Sequence, residues 1–225
     1  MLQVKRLSKT YGEGEARAAA LRGVTLDVQD GDFLAIMGPS GSGKSTLLNI
    51  IGCLDAPSSG EVVWDGKRID QLSESDLVAF RRRTIAYIFQ QYHLVPSLTA
   101  IENVMLPLTF SGVSGIKSRE RALEMLGRVG LEKRVNHRPG QLSGGEQQRA
   151  AIARALVNDP SLILAYEPTG NVDLRNGEEI IGIFRSLNNS GRTILMVTHN
   201  PDVAKQAKRI VVLRDGEISD EHICR

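Results

Sequence analysis

Two hydrophobic patterns predict two kinds of strand in this chain. Alternating apolar and polar positions at residues 2–7 and 24–28 indicate strands with one exposed face, and the turn Asp65-Gly66 after residues 61–64 indicates a hairpin. Continuous apolar runs indicate the buried strands of a parallel sheet instead. These runs cover residues 33–37, 84–89, 161–165 and 193–197, and a final hairpin covers residues 210–218.

Helical patterns lie between these strands. They cover residues 47–51, 72–83, 99–129 with a break at 111–115, 146–157 and 178–187. Alternation of buried strands with helices predicts an α/β fold, with a parallel sheet covered by helices on both faces. The antiparallel strands near the N-terminus form a separate β subdomain in this prediction, and the long helical region forms a lobe inserted between two halves of the core.

Composition and charge limit the classes of partner. The chain has 225 residues, of which 41% are hydrophobic, and a formal net charge of +2, so we expect no nucleic-acid surface. Cys53 and Cys224 form neither a disulfide framework nor a metal-binding spacing. Without a signal segment or an apolar run of about 20 residues, we expect a soluble, cytoplasmic protein whose membrane role depends on a partner.

A glycine-rich turn between a buried strand and an apolar helix carries the clearest chemistry. It consists of Gly38, Pro39, Ser40, Gly41, Ser42, Gly43, Lys44, Ser45 and Thr46. Such a turn directs backbone N–H groups and a helix N-terminus at phosphate oxygens; its lysine reaches the β- and γ-phosphates and its serine ligates Mg²⁺. A flexible linker would not occupy this position, so we expect nucleotide binding. The turn alone does not separate kinases, GTPases and transport ATPases.

A second motif distinguishes among these classes of nucleotide-binding protein. Residues 142–149, Leu-Ser-Gly-Gly-Glu-Gln-Gln-Arg, resemble the signature of ABC-type ATPases, although alone they could form an ordinary helix cap. Further motifs follow in the family's order, so the whole chain resembles one ABC nucleotide-binding domain with a P-loop NTPase fold. Residues 37–55 and 89–96 resemble the LolD/MacB/FtsE-like group most. The resemblance implies a core lobe of about residues 1–90 and 158–225 and a helical lobe of about residues 91–157.

The resemblance also implies a role for each matching residue. Tyr11 matches the aromatic residue that stacks on adenine, and Gln90 matches the glutamine that contacts Mg²⁺ and water. Glu167 matches the catalytic glutamate that polarises water, and His199 matches the histidine that hydrogen-bonds the γ-phosphate. Asp173 matches a loop that contacts a second copy of the chain in a head-to-tail dimer around two ATP molecules. The signature residues that would contact the other copy's ATP are Ser143, Gly144, Gly145 and Glu146.

One position departs from the family pattern. The family expects an Asp before the catalytic glutamate, where it holds Mg²⁺ through water, but this chain has Tyr166. A phenol with a pKa of about 10 is neutral at pH 7, and Mg²⁺ prefers carboxylate and phosphate oxygens. The leading hypothesis is therefore impaired Mg²⁺ placement with slow or no hydrolysis. Alternatively, Ser45, Gln90 and the phosphates suffice, or Tyr166 is an engineered or erroneous residue in an otherwise normal enzyme.

The function that the resemblance implies is energy coupling in a membrane complex. ATP would close the dimer and hydrolysis would reopen it, driving integral membrane permease subunits from the inner face of the cell membrane. The helical lobe and residues 90–96 are the expected docking face. A non-catalytic ATP-dependent clamp and a soluble scaffold ATPase are the alternatives. DNA-repair and translation ATPases fit poorly, because this chain has neither a long coiled coil nor a second such domain.

Overall fold

The structure, a computed structural model, describes residues 1–113 and 115–224. Its strands are β1 Leu2–Tyr11, β2 Ala18–Val28, β3 Phe33–Met37, β4 Ser59–Trp64, β5 Lys67–Arg68, β6 Ile85–Ile88, β7 Leu162–Tyr166, β8 Thr193–Val197, β9 Arg209–Arg214 and β10 Glu217–Ile223. Its α-helices are α1 Lys44–Ile51, α2 Glu74–Thr84, α3 Ala100–Phe110, α4 Gly115–Arg128, α5 Gly144–Leu156, α6 Leu174–Asn189 and α7 Pro201–Ala204. The chain packs as two compact units. We call Met1–Arg81 with Asn188–Arg225 the phosphate-loop unit, and Arg82–Leu187 the signature unit.

The phosphate-loop unit contains an antiparallel and a mainly parallel set of strands. The antiparallel set has the order β2-β1-β4-β5, and Leu2, Val4 and Leu7 of β1 are buried, as the alternating pattern predicts. In the other set, β3 pairs in parallel with β8 on one side and β9 on the other, and β10 pairs antiparallel with β9. β3 is buried from Phe33 to Ile36, which explains why its sequence is a continuous apolar run.

The signature unit combines a strand pair with packed helices. β6 and β7 run parallel, with Ile85 opposite Leu162. Helix α5 packs against α3, α4 and β6, and its buried face includes Ala150, Ala151 and Ala153. Small alanine side chains let the neighbouring elements approach this helix closely. Packing on these sides fixes the position of α5 within the unit.

Most predicted elements are confirmed, with differences at their ends. Helix α6 begins at Leu174 rather than at residue 178, because the Asp173 carboxylate accepts a hydrogen bond of 3.0 Å from the Asn176 N–H and caps an earlier turn. The predicted helix break is also present, and Ser114 within it lies outside the described residues. The lobe boundaries near residues 90 and 158 stay a prediction.

Candidate functional site

The phosphate loop leaves β3 in a conformation that needs glycine. Gly38, Gly41 and Gly43 have φ angles of 148°, 79° and 99°, which side-chain-bearing residues rarely adopt. A Cβ atom on Gly38 would also overlap the carbonyl oxygen of Leu213, and one on Gly43 would overlap that of Ala20. Backbone conformation and close neighbours thus both exclude larger residues from the loop. We call this loop, residues 38–46, the phosphate cradle. Its glycines leave the backbone atoms open to contact with a ligand.

The polar groups of the loop fit an anion. Lys44 is buried, and its Nζ donates to the carbonyl oxygens of Gly38 and Pro39 at 2.9 and 2.7 Å. Ser42 is only 3% exposed, and its buried hydroxyl has no hydrogen-bond partner within the described residues. Since α1 begins at Lys44, its N–H groups and the positive end of its dipole face the same cradle. A phosphate group satisfies this combination of donors.

His199 leaves the sheet beside the phosphate loop. Ile36 of β3 lies in register with Val197 of β8, and the Thr198 N–H donates to the Ile36 carbonyl oxygen at 3.2 Å. Parallel strands end at the same edge of a sheet, so the chain segments after β3 and β8 emerge side by side. The exposed His199 is the second residue after β8 and belongs to that edge.

Tyr11 ends β1 with its phenol tied to the segment after α1. The hydroxyl donates to Asp55 Oδ2 at 2.6 Å, while the residue as a whole remains 42% exposed. Burial and the Asp55 hydrogen bond raise the pKa of Tyr11, and the nearby Thr46 and Lys9 side chains act against them. Tyr11 therefore lies beside the first turn of α1. The phosphate-loop unit brings together the loop, His199 and Tyr11.

In the signature unit, the ABC-like motif forms the capped start of α5. Ser143 Oγ accepts from the Glu146 N–H at 3.3 Å, and Glu146 Oε2 accepts from the Ser143 N–H at 2.8 Å. Arg134 also donates to Glu146, at 2.9 Å. The Ser143 hydrogen bond, supported by Arg134, lowers the pKa of Glu146. Such a helix start presents N–H groups to an anion, which is the chemistry predicted for the motif.

The residues after β7 combine strain with burial. Tyr166 ends β7 half-buried, and Glu167 follows with a φ of 44° and an exposed fraction of 8%. The Glu167 carbonyl oxygen accepts from the Gly170 N–H at 3.0 Å, which closes a tight turn. A positive φ at a side-chain-bearing residue costs of order 1–3 kcal/mol and is concentrated at functional sites. This geometry supports a functional Glu167, and its catalytic role stays a prediction.

A family model described as ABC transporter matches residues 21–170, which include both the phosphate loop and the signature. The chain belongs to the ABC transporter family. An uncharacterised ABC transporter ATP-binding protein of Methanocaldococcus jannaschii is 50% identical over 218 residues, 97% of each chain. MacB 1/2 of Paracoccus denitrificans, named a macrolide export ATP-binding/permease protein, is 49% identical over 218 residues. That match covers 97% of this chain and 33% of MacB.

A solved ABC cassette has the same fold. The ATP-binding cassette MJ0796 of M. jannaschii, described as a dimer in a post-hydrolysis state with ADP and Pi, superposes with a TM-score of 0.92 at 49% identity. The match covers 100% of this chain and 99% of that one. The predicted P-loop, ABC-type α/β fold and the predicted LolD/MacB-like group are confirmed. Within the described residues, no helix is both long and apolar enough to cross a membrane.

The oxygen donors of this ABC domain fit a magnesium ion only in part. Ser45 has an exposed hydroxyl in the first turn of α1, and Gln90 has an amide oxygen. Among the described residues, no group of three or more His, Cys, Asp or Glu side chains could hold a metal ion. Mg²⁺ in nucleotide sites keeps water ligands and binds phosphates with few protein groups. A Mg²⁺ ion in this domain would therefore be held mainly by the nucleotide and by water.

The signature unit also contains a polar junction that the sequence did not reveal. The Gln90 Nε2 donates to Asn171 Oδ1 and the Asn171 Nδ2 donates to the Gln90 carbonyl oxygen, both at 3.1 Å. The Tyr92 hydroxyl donates to the Asn171 carbonyl oxygen at 3.0 Å. Buried Gln148 of α5 donates to the Phe89 and Pro168 carbonyl oxygens at 3.2 and 2.7 Å.

The junction joins three predicted functional segments within one unit: the segment after β6, the segment after β7 and the start of α5. Asn171 lies two residues before Asp173, which the family pattern singled out. Only the contacts of Asn171 show that it belongs to this junction. Its contacts with Gln90 and Tyr92 join residues that are 81 and 79 positions apart in the sequence. Sequence spacing carries no sign of such a pair.

Proposed function

We propose that this chain is the ATP-hydrolysing subunit of a membrane-embedded ABC transporter or mechanotransmission complex. The phosphate cradle with buried Lys44, orphaned Ser42 Oγ and the N-terminus of α1 carries the proposal, because these donors suit a triphosphate. Tyr11 would stack on adenine, and His199 would hydrogen-bond the γ-phosphate. When bound, Mg²⁺ would neutralise phosphate charge, with Ser45 and Gln90 as its protein donors.

The second part of the proposal is a head-to-tail dimer of two copies. The capped N-terminus of α5 is a second anion-binding helix start, besides that of α1. Its residues Ser143, Gly144, Gly145 and Glu146 would contact ATP held by the other copy, and Asp173 would contact that copy. The dimeric MJ0796 cassette, at 49% identity over the whole chain, supports a dimer of two copies.

The third part concerns the membrane partner. MacB of P. denitrificans is named as one protein for ATP binding and permease function, and this chain spans a third of it. We infer that integral membrane permease subunits are the partners of this domain, and that the domain acts at the cytoplasmic face of the membrane. The segment from Gln90 to residue 96 and the helical lobe would form the docking face.

Tyr166 would impair hydrolysis rather than ATP binding. Glu167, the proposed residue that polarises water, is intact, whereas the half-buried phenol before it supplies no carboxylate for Mg²⁺. The defect is therefore expected in metal placement. A chain that binds ATP but turns over slowly would act as an ATP-dependent clamp, so Tyr166 is the observation that favours this second function.

The decisive experiment is Mg²⁺-dependent phosphate release by the purified chain and by its Tyr166→Asp variant. We expect the variant to gain at least about tenfold in rate, a modest part of what metal-assisted charge stabilisation contributes. Glu167→Gln in the Tyr166→Asp background is the control, and it should abolish the gain. Equal turnover by the original chain and Tyr166→Asp would show that the missing carboxylate is compensated. Failure of both to bind ATP would reject the proposed function itself.

A further inference from the structure

Tyr11 belongs to a three-residue cluster with Lys9 and Asp55 in the phosphate-loop unit. Asp55 accepts from the Tyr11 hydroxyl through Oδ2 and from Lys9 Nζ through Oδ1, each at 2.6 Å. Lys9 Nζ lies 4.9 Å from the centre of the Tyr11 ring, and it also donates to the Ala56 carbonyl oxygen at 2.6 Å. The cation therefore covers one ring face while Asp55 holds the hydroxyl. Together these contacts define both the position and the tilt of the ring.

The backbone fixes Asp55 at the far end of the helix that starts in the phosphate loop. After α1, Cys53 adopts a left-handed φ of 60°, and the Leu54 and Asp55 N–H groups turn back to the Asn49 carbonyl oxygen at 2.8 and 3.3 Å. The Asp55 carboxylate also accepts from the Ala56 N–H at 2.8 Å. Asp55 is thus held by the same short helix whose N-terminus faces the phosphate cradle.

The end of β1 is tied to the same segment. The Thr10 N–H donates to Ser58 Oγ at 3.0 Å, and the Ser58 N–H donates to the Ser8 carbonyl oxygen at 2.9 Å. These bonds join the strand that carries Lys9 and Tyr11 to the chain just after Asp55. The cluster therefore rests on two backbone supports and does not depend on side-chain contacts alone.

The exposure of the cluster distinguishes it from an ordinary structural ion pair. Lys9 and Asp55 have side-chain exposures of 13% and 27%, so their charges are partly desolvated. Burial alone would raise the pKa of Asp55, but hydrogen bonds from Lys9 and Tyr11 outweigh it and lower that pKa. Tyr11, in contrast, is 42% exposed as a whole residue. A pair that served only to join β1 to α1 would gain nothing from holding an exposed aromatic ring.

We propose that Asp55 and Lys9 are positioning residues that hold the Tyr11 ring so that adenine stacks on the face opposite Lys9. This inference rests on the proposed binding of ATP and on stacking at Tyr11. Aromatic stacking depends on ring orientation, and a ring fixed before binding loses less freedom when the base arrives. Because α1 connects the phosphate loop to the segment that contains Asp55, phosphate and base recognition would depend on the same short helix.

The test compares a nucleotide with its phosphate chain alone. Calorimetry would give the Kd of AMP-PNP and of inorganic tripolyphosphate for the original chain, Tyr11→Ala, Tyr11→Phe, Asp55→Ala and the double variant Tyr11→Phe/Asp55→Ala. Tyr11→Ala should weaken AMP-PNP about 5- to 150-fold, the range for one base–aromatic stack. Tyr11→Phe and Asp55→Ala should each weaken it about 3- to 10-fold, since the ring remains without its anchor. The double variant should resemble either single variant, and tripolyphosphate affinity should change less than about twofold throughout.

Two further variants separate positioning from a general loss of stability. Asp70→Asn removes a carboxylate that pairs with Arg68 at 2.6 Å in the same unit, and it should leave the AMP-PNP Kd unchanged. Lys9→Arg should retain most of the affinity that Lys9→Met loses, because Arg keeps the charge and the contact with the ring.

Several results would overturn the inference. AMP-PNP affinity that falls with Tyr11→Ala but not with Asp55→Ala or Tyr11→Phe would leave stacking in place and remove the positioning role. An equal loss of tripolyphosphate affinity would show that the cluster supports the whole fold. A Tyr11→Ala variant that binds AMP-PNP normally would remove stacking itself, and absence of any AMP-PNP binding by the original chain would instead reject the proposed function.

Discussion

At the residue scale, Gly145 shows how closely the signature unit is built around one side chain. A Cβ atom on Gly145 would lie 2.8 Å from the Cβ of Asn176, and it would overlap the amide group as well. Asn176 cannot withdraw freely, because its Nδ2 donates to Asp173 at 2.6 Å and its Oδ1 accepts from Arg149 at 3.1 Å. The absence of a side chain at Gly145 therefore lets the start of α5 pack closely against Asn176, which holds Asp173.

Gly145→Ala should disrupt the close packing between the start of α5 and Asn176. We expect it to lower the free energy of unfolding by about 1–3 kcal/mol, the usual cost of overpacking a closely fitted site. ATP-dependent dimerisation should fall with it, since Asn176 would release Asp173. Urea unfolding and size-exclusion chromatography with ATP would measure the two effects.

Gly182→Ala is the matched control, because a Cβ atom on Gly182 within α6 would meet nothing within 4 Å. It should stabilise the chain by about 0.5–1 kcal/mol, as alanine does when it replaces a helical glycine. If Gly145→Ala were as stable and as dimeric as Gly182→Ala, the proposed link between Gly145 and Asp173 would be absent.

At the element scale, α3 and α5 begin with the same capping box and provide an internal comparison. Thr99 and Glu102 cap α3 as Ser143 and Glu146 cap α5. We expect Thr99→Ala and Ser143→Ala each to lower the free energy of unfolding by about 0.5–2 kcal/mol, the usual value of an N-cap. Only Ser143→Ala should also reduce ATP-dependent dimerisation, because of these two helices only α5 is proposed to contact nucleotide. Equal dimerisation by the two variants would remove Ser143 from the proposed site.

The contribution of the α5 cap to the free energy of unfolding should depend on pH in a predictable direction. The lowered pKa of Glu146 in the folded chain means that its carboxylate stabilises the fold above its unfolded pKa of about 4.3. This contribution is lost as the pH falls through the folded pKa. Glu146→Gln should therefore be less stable than the original chain in urea at pH 7, and the difference should shrink below about pH 4.3. A difference that persisted unchanged at low pH would assign the effect to packing.

The elements were largely readable from the sequence, and the contacts that join them were not. Apolar runs located β3, β7 and β8 because strands buried on both faces leave a continuous pattern. The start of α6 was missed, since a cap by Asp173 extends the helix beyond its amphipathic stretch. The phosphate loop was readable because its chemistry is local. The pairing of Tyr11 with Asp55 crosses 44 residues, a separation at which no periodicity or spacing rule applies.

At the scale of the whole molecule, the two units divide the proposed chemistry. The phosphate-loop unit contains the proposed cradle for ATP, and the signature unit contains Glu167 and the start of α5 that is proposed to bind an anion. An ATP-driven cycle requires that hydrolysis end the state which ATP creates. Tyr166 therefore has a consequence for the dimer as well as for the rate of phosphate release.

If Tyr166 slows hydrolysis, ATP with Mg²⁺ should hold two copies of the original chain together, with no need for a variant that blocks hydrolysis. We expect the original chain to elute as a persistent dimer, and Tyr166→Asp to return to monomers as ATP is consumed. Tyr166→Asp/Glu167→Gln should regain the persistent dimer, because Glu167 is the group proposed to polarise water. Lys44→Ala, which removes the cation from the phosphate cradle, should be monomeric throughout. A dimer of the original chain that decays as fast as that of Tyr166→Asp would mean that hydrolysis proceeds without the carboxylate, and that the clamp function has no basis in Tyr166.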